Sequence, residues 1–258
     1  MQAGTSAPNS GAVGARPTLI IIGAMKCGTT AVHRALSHHP HMAMSDPKEL
    51  NFFFGPAHVD PDTPDPPWAA GNLWRGLDWY AGHFPATAAV RGEASPGYTS
   101  PDHPEVAGRM AHLVPNAGLV YLVRDPVARA LSQYRHHVRD GSEHRQAAEA
   151  LTDPGSQYIA RSRYHERLLP FLEHFSHEQI LIVAQEDLRA EPRRTLRRVC
   201  RFGGADPDLL PSDAIHRAPP QMRAPVDGSL HAALAAAVRD DTARLRALVD
   251  RPLPAWSV

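Results

Sequence analysis

Residues 18–33, TLIIIGAMKCGTTAVH, constrain the fold of this chain more than any other stretch. The apolar, β-branched run at residues 19–22 is too short to cross a membrane and has the length of a buried strand. A glycine-containing turn at residues 23–30 follows, and apolar residues then recur at the i, i+4 spacing of a helix face. A strand, a turn and a helix in this order create an anion site, because the free N–H groups of the first helical turn and the helix dipole both favour negative charge.

The side chains of this turn suit a ligand with a phosphate-like charge. Lys26 supplies a mobile cation, and Thr29 and Thr30 supply hydroxyl donors. The lysine precedes Gly28, whereas in a Walker A loop the lysine follows the second glycine, so the order of residues argues against that loop. Taken alone, the turn is also compatible with an ordinary glycine turn of an α/β protein.

A second stretch with chemical meaning is residues 121–137, YLVRDPVARALSQYRHH. Arg124 follows an apolar strand pattern at residues 117–123, and Asp125 is a good N-cap for the helix pattern that comes next. Ser132 lies on that helix, eight residues after the arginine. A guanidinium with a hydroxyl nearby suits a terminal phosphate, although an ion pair between Arg124 and a carboxylate is the alternative that these residues leave open.

Strand and helix patterns alternate along the rest of the chain. Further strands are predicted at residues 88–93 and 179–184, with amphipathic helices between the strands. This alternation predicts an α/β fold with a central, mostly parallel sheet that helices cover on both faces. Because ligands of such sheets bind at the carboxyl ends of the strands, we expect Lys26 and Arg124 to lie at the same edge.

Composition limits the classes of function and the setting. Lys+Arg and Asp+Glu are equal at 27 each, so no net field draws the chain to nucleic acid or to a membrane. Two cysteines give no disulfide framework, and the histidines and cysteines show no metal-ligand spacing. We expect a cytoplasmic protein with one domain, residues 18–258, preceded by a disordered Gly/Ala/Ser-rich tail, residues 1–17, that lacks the pattern of a signal peptide.

The lysine turn, K-x-G-T-T, and the Arg-x7-Ser pattern occur together here, in order and about a hundred residues apart. In this combination the chain resembles sulfotransferases that use 3′-phosphoadenosine 5′-phosphosulfate (PAPS), especially the heparan-sulfate type and its bacterial relatives. The resemblance implies a P-loop-like three-layer sandwich and PAPS as the donor, with no metal. It also implies the donor-binding residues: Lys26, Cys27, Gly28, Thr29 and Thr30 in the turn, and Arg124 and Ser132 around the 3′-phosphate.

Shorter matches extend the resemblance to the reacting groups. Residues 48–53, KELNFF, are similar to the family's acidic segment and align Glu49 with its catalytic carboxylate. Residues 76–80, GLDWY, resemble its G-[IL]-D-W-Y element. His136 aligns with a histidine credited with a catalytic part, although a histidine on a helix surface is the alternative.

Two elements depart from the family pattern. Residues 93–98, EASPGY, resemble its E-K-[ST]-x-x-Y element, but Ala94 stands where a lysine often occurs, so that cation is missing or is supplied elsewhere. The basic loop that usually closes the 3′-phosphate site corresponds to residues 215–226, which contain no glycine. Arg217 or Arg223 would take that part.

The resemblance implies transfer of a sulfuryl group from PAPS to a hydroxyl, or as second choice an amine, of a small-molecule or carbohydrate acceptor. Glu49 would act as general base, Lys26 would stabilise the leaving phosphate oxygen, and His136 would orient the sulfonate or assist. Two alternatives remain at this point. A P-loop kinase would need magnesium, and a non-catalytic nucleotide-binding protein would bind the product nucleotide without turnover.

Overall fold

The computed structural model describes residues 15–214, 227–249 and 252–258. Within them, five strands form one parallel sheet in the order β2-β3-β1-β4-β5, which confirms the predicted α/β class. The strand order reverses beside β1, so the turn that follows β1 lies where an open parallel sheet binds its ligands. The strands are β1 (Leu19–Gly23), β2 (Met42–Met44), β3 (Val90–Ala94), β4 (Gly118–Val123) and β5 (Ile180–Ala184).

Helices cover both faces of this sheet. Every residue of β1 is buried, although consecutive side chains of a strand point to opposite faces, so neither face is open to solvent. The helices of the described residues are α1 (Thr29–Ser37), α2 (Gly76–Ala81), α3 (Val106–Leu113), α4 (Pro126–Asp140), α5 (Ala147–Thr152), α6 (Gln157–Ala160), α7 (Tyr164–Leu172), α8 (Gln185–Ala190), α9 (Pro192–Phe202) and α10 (Gly228–Leu248).

Helix α4 begins where its sequence predicts. The Asp125 carboxylate accepts a hydrogen bond of 2.8 Å from the backbone N–H of Ala128, and Pro126 occupies the first helical position. An N-cap fixes the first turn of the helix, so α4 starts directly at the carboxyl end of β4. This geometry carries the chain from the strand edge into the helix that holds Ser132.

A buried arginine fixes the rotation of α4 about its axis. Arg129 is fully buried, and it donates to Ser162 Oγ at 2.7 Å, to Gln133 Oε1 at 2.7 Å and to the carbonyl oxygen of Tyr158. Burial lowers the pKa of Arg129. The bonds to Ser162 and Tyr158 hold α4 against α6 and the segment before α7, and Ser132, three residues after Arg129, lies beside the turn that follows β1.

The irregular connection between β2 and α2 is long, as the prolines of residues 55–74 predict. It contains two short 3₁₀ turns, Trp68–Ala70 and Leu73–Arg75. Among the described residues, no helix has the length and apolar character needed to cross a membrane.

Candidate active site

The turn after β1 takes a backbone shape that leaves the start of α1 open. Gly28 has φ 98° and immediately precedes α1, and among the described residues no side chain caps that helix. Its first N–H groups are therefore available to an anion. Gly23 begins the turn, and a Cβ there would lie 2.3 Å from Thr99 Oγ1, so the close approach requires glycine.

A pocket of about 430 Å³ opens in front of this turn. It brings together residues that are distant in sequence: the turn itself, the segment after β2 and the exposed face of α4. Seven of the residues that the sequence singles out line it: Lys26, Gly28, Thr29, Thr30, Glu49, Ser132 and His136. The pocket thus combines helix N–H groups, a cation, hydroxyls and a carboxylate around one volume.

Lys26 lies in an environment that disfavours its positive charge. Burial lowers the pKa of Lys26, and the cations Arg139 and Arg124 lower it further, whereas Asp140 and Glu49 act in the opposite direction. Positive charge therefore accumulates around the turn. An anion bound at this place would balance these cations and raise the pKa of Lys26 again.

Glu49 lies across the pocket on a segment with unusual backbone angles. Its φ is 66°, in the left-handed region, and its side chain is 44% exposed. One carboxylate oxygen of Glu49 is ion-paired with Lys48. Ala94, which stands where a lysine often occurs in the E-K-[ST]-x-x-Y element, is fully buried on β3. The cation beside the Glu49 carboxylate is Lys48.

His136 is one turn beyond Ser132 on the same face of α4. Arg139 Nη2 donates to its Nδ1 at 2.9 Å, and its Nε2 lies 3.7 Å from the Asp140 carboxylate. The neighbouring His137 turns away, with Nδ1 2.9 Å from the hydroxyl of Tyr158. Only the first of these two adjacent histidines therefore lines the pocket.

Two of the predicted donor-binding residues lie apart from the pocket lining. Arg124 is 8% exposed and follows the last residue of β4, close enough to Lys26 to affect its pKa. The thiol of Cys27 faces the core, 3.5 Å from the Tyr164 hydroxyl, and its burial raises the pKa of that thiol to about 11. Any contribution of Cys27 to binding comes through the shape of the backbone, because the apolar interior holds its side chain.

Arg217 and Arg223 lie outside the described residues, so their predicted part at the 3′-phosphate stays a prediction. Within the described ranges, no group of three or more His, Cys, Asp or Glu side chains is arranged to hold a metal ion.

Gln185 is a pocket residue that the sequence did not single out. It is the first residue of α8, directly after β5, and its Nε2 donates to the carbonyl oxygen of Lys26 at 3.5 Å. Only its position in the sequence points to the site, since Gln185 immediately follows a predicted strand that ends at the same edge of the sheet as Lys26. A glutamine, however, has no pattern that would distinguish it from a surface residue.

Comparison with known proteins gives one consistent family. A model described as the sulfotransferase family matches residues 62–208. The crystal structure of a sulfotransferase from Alicyclobacillus acidocaldarius is 31% identical, with a TM-score of 0.76, over 93% of this chain and 98% of that one. The fold and nearly the whole length of the chain are therefore shared with that enzyme.

In the curated relatives, only a small part of the sequence matches this chain. The bifunctional heparan sulfate N-deacetylase/N-sulfotransferase 1 of Caenorhabditis elegans is 29% identical over 202 residues, which are 72% of this chain and 22% of the relative. The membrane-associated sulfotransferase kil1 of Dictyostelium discoideum is 33% identical over 143 residues, or 54% of this chain and 26% of the relative. The chain spans about a fifth to a quarter of the length of these relatives.

Proposed function

The chain belongs to the sulfotransferase family, and from that premise we propose that it transfers the sulfuryl group of PAPS to a hydroxyl group of a carbohydrate or small-molecule acceptor. The observation that carries this proposal is the pocket, which gathers the Lys26 turn, Glu49 and the Ser132/His136 face of α4 around one volume. These groups come from three separate segments, and each has a part in the same reaction.

The donor would bind along the turn and toward α4. The first N–H groups of α1, its dipole and the Lys26 ammonium receive the phosphosulfate. Ser132 and Arg124 hold the 3′-phosphate, the group that separates PAPS from ADP and ATP. Burial lowers the pKa of Lys26 most, and the nearby cations Arg139 and Arg124 lower it further; a bound anion would balance that positive charge, which supports this assignment.

Transfer is an in-line displacement at sulfur. The acceptor oxygen forms a bond to sulfur as its proton passes to the Glu49 carboxylate, which the exposure of that side chain allows. The bond from sulfur to the 5′-phosphate oxygen breaks, and adenosine 3′,5′-bisphosphate leaves. Lys26 stabilises the charge that develops on the leaving oxygen, and His136 orients the sulfonate.

The names of the relatives support the proposed class of acceptor. Relatives named for heparan sulfate N-sulfotransfer support a carbohydrate, and they make an amine the second candidate for the accepting group. The cysteines Cys27 and Cys200 are both free and buried, which supports a reducing, cytoplasmic setting. The proposal includes no metal ion.

Calorimetric titration tests the donor site. We expect adenosine 3′,5′-bisphosphate to bind without magnesium far more tightly than ADP, which lacks the 3′-phosphate. Ser132→Ala should weaken binding of the bisphosphate by about 1.5–3 kcal/mol, the worth of a hydrogen bond to a charged group, and leave ADP binding unchanged. Equal affinities for the two nucleotides, or binding that needs magnesium, would favour a kinase instead.

Turnover tests the general base. The assay measures release of adenosine 3′,5′-bisphosphate from PAPS in the presence of a partly de-N-acetylated chitohexaose, which offers hydroxyls and amines together. Glu49→Gln should lower kcat by ~10²–10⁴ and leave bisphosphate affinity unchanged. The control is Glu105→Gln, since Glu105 is 37% exposed and ion-paired with Arg109 but lies outside the pocket. Binding of the bisphosphate without Glu49-dependent turnover of any acceptor would indicate a nucleotide-binding protein.

A further inference from the structure

The segment that carries Glu49 has a backbone that must be held in place. Glu49 has φ 66° and Asn51 has φ 50°, so two residues with side chains adopt the left-handed conformation within three positions. Residues other than glycine rarely adopt this backbone conformation, and they keep it only where the surrounding structure enforces it. The direction of the Glu49 carboxylate depends on these angles.

A buried carboxylate stands behind this segment. Glu93 on β3 is fully buried and lies outside the pocket lining. Its Oε2 accepts from Ser95 Oγ at 2.8 Å, and its Oε1 accepts from the Tyr98 hydroxyl at 2.9 Å and also from the Tyr80 hydroxyl. Burial raises the pKa of Glu93 to about 6, while the three hydroxyl donors oppose that shift.

Two of these hydroxyls also accept hydrogen bonds from the segment that carries Glu49. The N–H of Asn51 donates to Ser95 Oγ at 3.1 Å, and the N–H of Phe52 donates to the Tyr98 hydroxyl oxygen at 3.0 Å. A carboxylate only accepts, so it directs both hydroxyl protons toward itself and leaves the oxygen lone pairs for the two backbone donors. Glu93 thereby sets the polarity of both chains of hydrogen bonds.

The opposite side of the segment is held as well. Asn72 Nδ2 donates to the carbonyl oxygen of Leu50 at 2.9 Å, and the backbone N–H of Asn72 donates to the carbonyl oxygen of Asn51 at 3.0 Å. The N–H of Glu49 donates to the carbonyl oxygen of Ala94 at 3.1 Å. The segment is thus fixed between the end of β3 and the 3₁₀ turns of the long connection.

We propose that Glu93 is a positioning residue which, through Ser95 and Tyr98, holds residues 49–52 in the shape that directs the Glu49 carboxylate into the pocket. The inference rests on the proposed function, in which Glu49 is the general base. Burying a carboxylate among tyrosines is unfavourable unless its hydrogen bonds are all made. The cluster meets that condition, because Glu93 accepts three hydroxyl protons and two of those hydroxyls also accept backbone N–H groups.

Tyr80 and Tyr98 provide a matched pair of variants. Both tyrosines are buried and both donate to the same oxygen of Glu93. Only Tyr98 also accepts from the segment; within the described part of the chain, the Tyr80 hydroxyl bonds to Glu93 alone. Tyr98→Phe and Tyr80→Phe therefore remove the same kind of bond from Glu93, and only the first releases the Phe52 N–H.

The experiment combines turnover with hydrogen–deuterium exchange. We expect Tyr98→Phe to lower kcat on the order of 10–100-fold, the usual effect of misplacing a reacting group by about an ångström. Bisphosphate affinity should stay unchanged, and amide exchange at residues 49–54 should accelerate. Tyr80→Phe should keep kcat within about twofold and should leave that exchange unchanged. In a Glu49→Gln background, Tyr98→Phe should cause no further loss of kcat.

The outcomes separate the two proposals. Faster exchange in Tyr98→Phe with an unchanged kcat, while Glu49→Gln loses turnover, would overturn the positioning role and leave the proposed function standing. Unchanged exchange and unchanged kcat in folded Tyr98→Phe would overturn it as well. Retained turnover in Glu49→Gln would reject Glu49 as the base, whatever the exchange data show. Equal losses of kcat in both tyrosine variants would reduce Glu93 to a structural residue.

Discussion

The indole Nε1 of Trp68 donates a hydrogen bond of 2.7 Å to the carbonyl oxygen of Glu49. Trp68 belongs to the long connection between β2 and α2, and its side chain stays partly exposed. The connection is therefore tied to the segment that carries the proposed base. It is anchored rather than a loose insertion, because the indole bond joins it directly to that backbone.

Trp68→Phe should lower kcat about fivefold, since it keeps an aromatic ring but loses a bond worth roughly 1 kcal/mol. The control is Trp74→Phe. The indole Nε1 of Trp74 is buried without a hydrogen-bond partner among residues 15–214, 227–249 and 252–258, so its loss removes nothing of this kind. Steady-state kinetics with PAPS and the chitohexaose acceptor make the measurement. An equal effect of the two substitutions would mean that the indole bond does not matter.

His136→Gln should lower kcat on the order of tenfold at unchanged bisphosphate affinity, because the imidazole lines the pocket and, in the proposed function, orients the sulfonate. His137→Gln serves as the neighbouring control, since that ring contacts Tyr158 instead. The comparison uses kcat together with calorimetric binding. If the two variants lose activity in parallel, the loss reflects α4 itself and His136 has no separate part.

Glu93 should make the free energy of unfolding depend on pH in an unusual direction. Burial raises its pKa from the ordinary value of 4.5 to about 6, so the unfolded chain releases this proton first as the pH rises. The contribution is fully present below pH 4.5 and is lost through pH 6, a total of about 2 kcal/mol. Urea unfolding at pH 4 and pH 7.5 measures it. The difference in free energy of unfolding, wild type minus Glu93→Gln, should fall by that amount between pH 4 and pH 7.5. A difference that does not change with pH would contradict the prediction.

Both cysteines should be inert in the native protein. Burial raises the pKa of Cys27 and of Cys200 to about 11, so almost no thiolate is present at neutral pH and neither sulfur is accessible. Iodoacetamide at pH 8 should label neither thiol in buffer and both thiols in urea. Mass spectrometry counts the adducts. Fast labelling of native Cys27 would show that the thiol faces the pocket rather than Tyr164.

The sequence alone was sufficient for the framework. Apolar runs separated by helix patterns indicated a parallel α/β sheet, and Asp125 and Pro126 marked the start of α4 correctly. These features could be predicted because strand burial, capping and helix periodicity depend on residues within a few positions of each other. The predicted strand ends also place Lys26 and Arg124 at one edge of the sheet.

Only the tertiary structure decided which side chains meet at that edge. Cys27 faces Tyr164 across 137 residues, and Gln185 reaches the Lys26 carbonyl across 159. Glu49 and Asn51 have left-handed angles in a segment whose Asn51 and Phe52 N–H groups donate to Ser95 and Tyr98, more than 40 residues away in sequence. Such contacts depend on how elements pack against one another and on which buried polar groups find partners, and no local pattern in the chain encodes either.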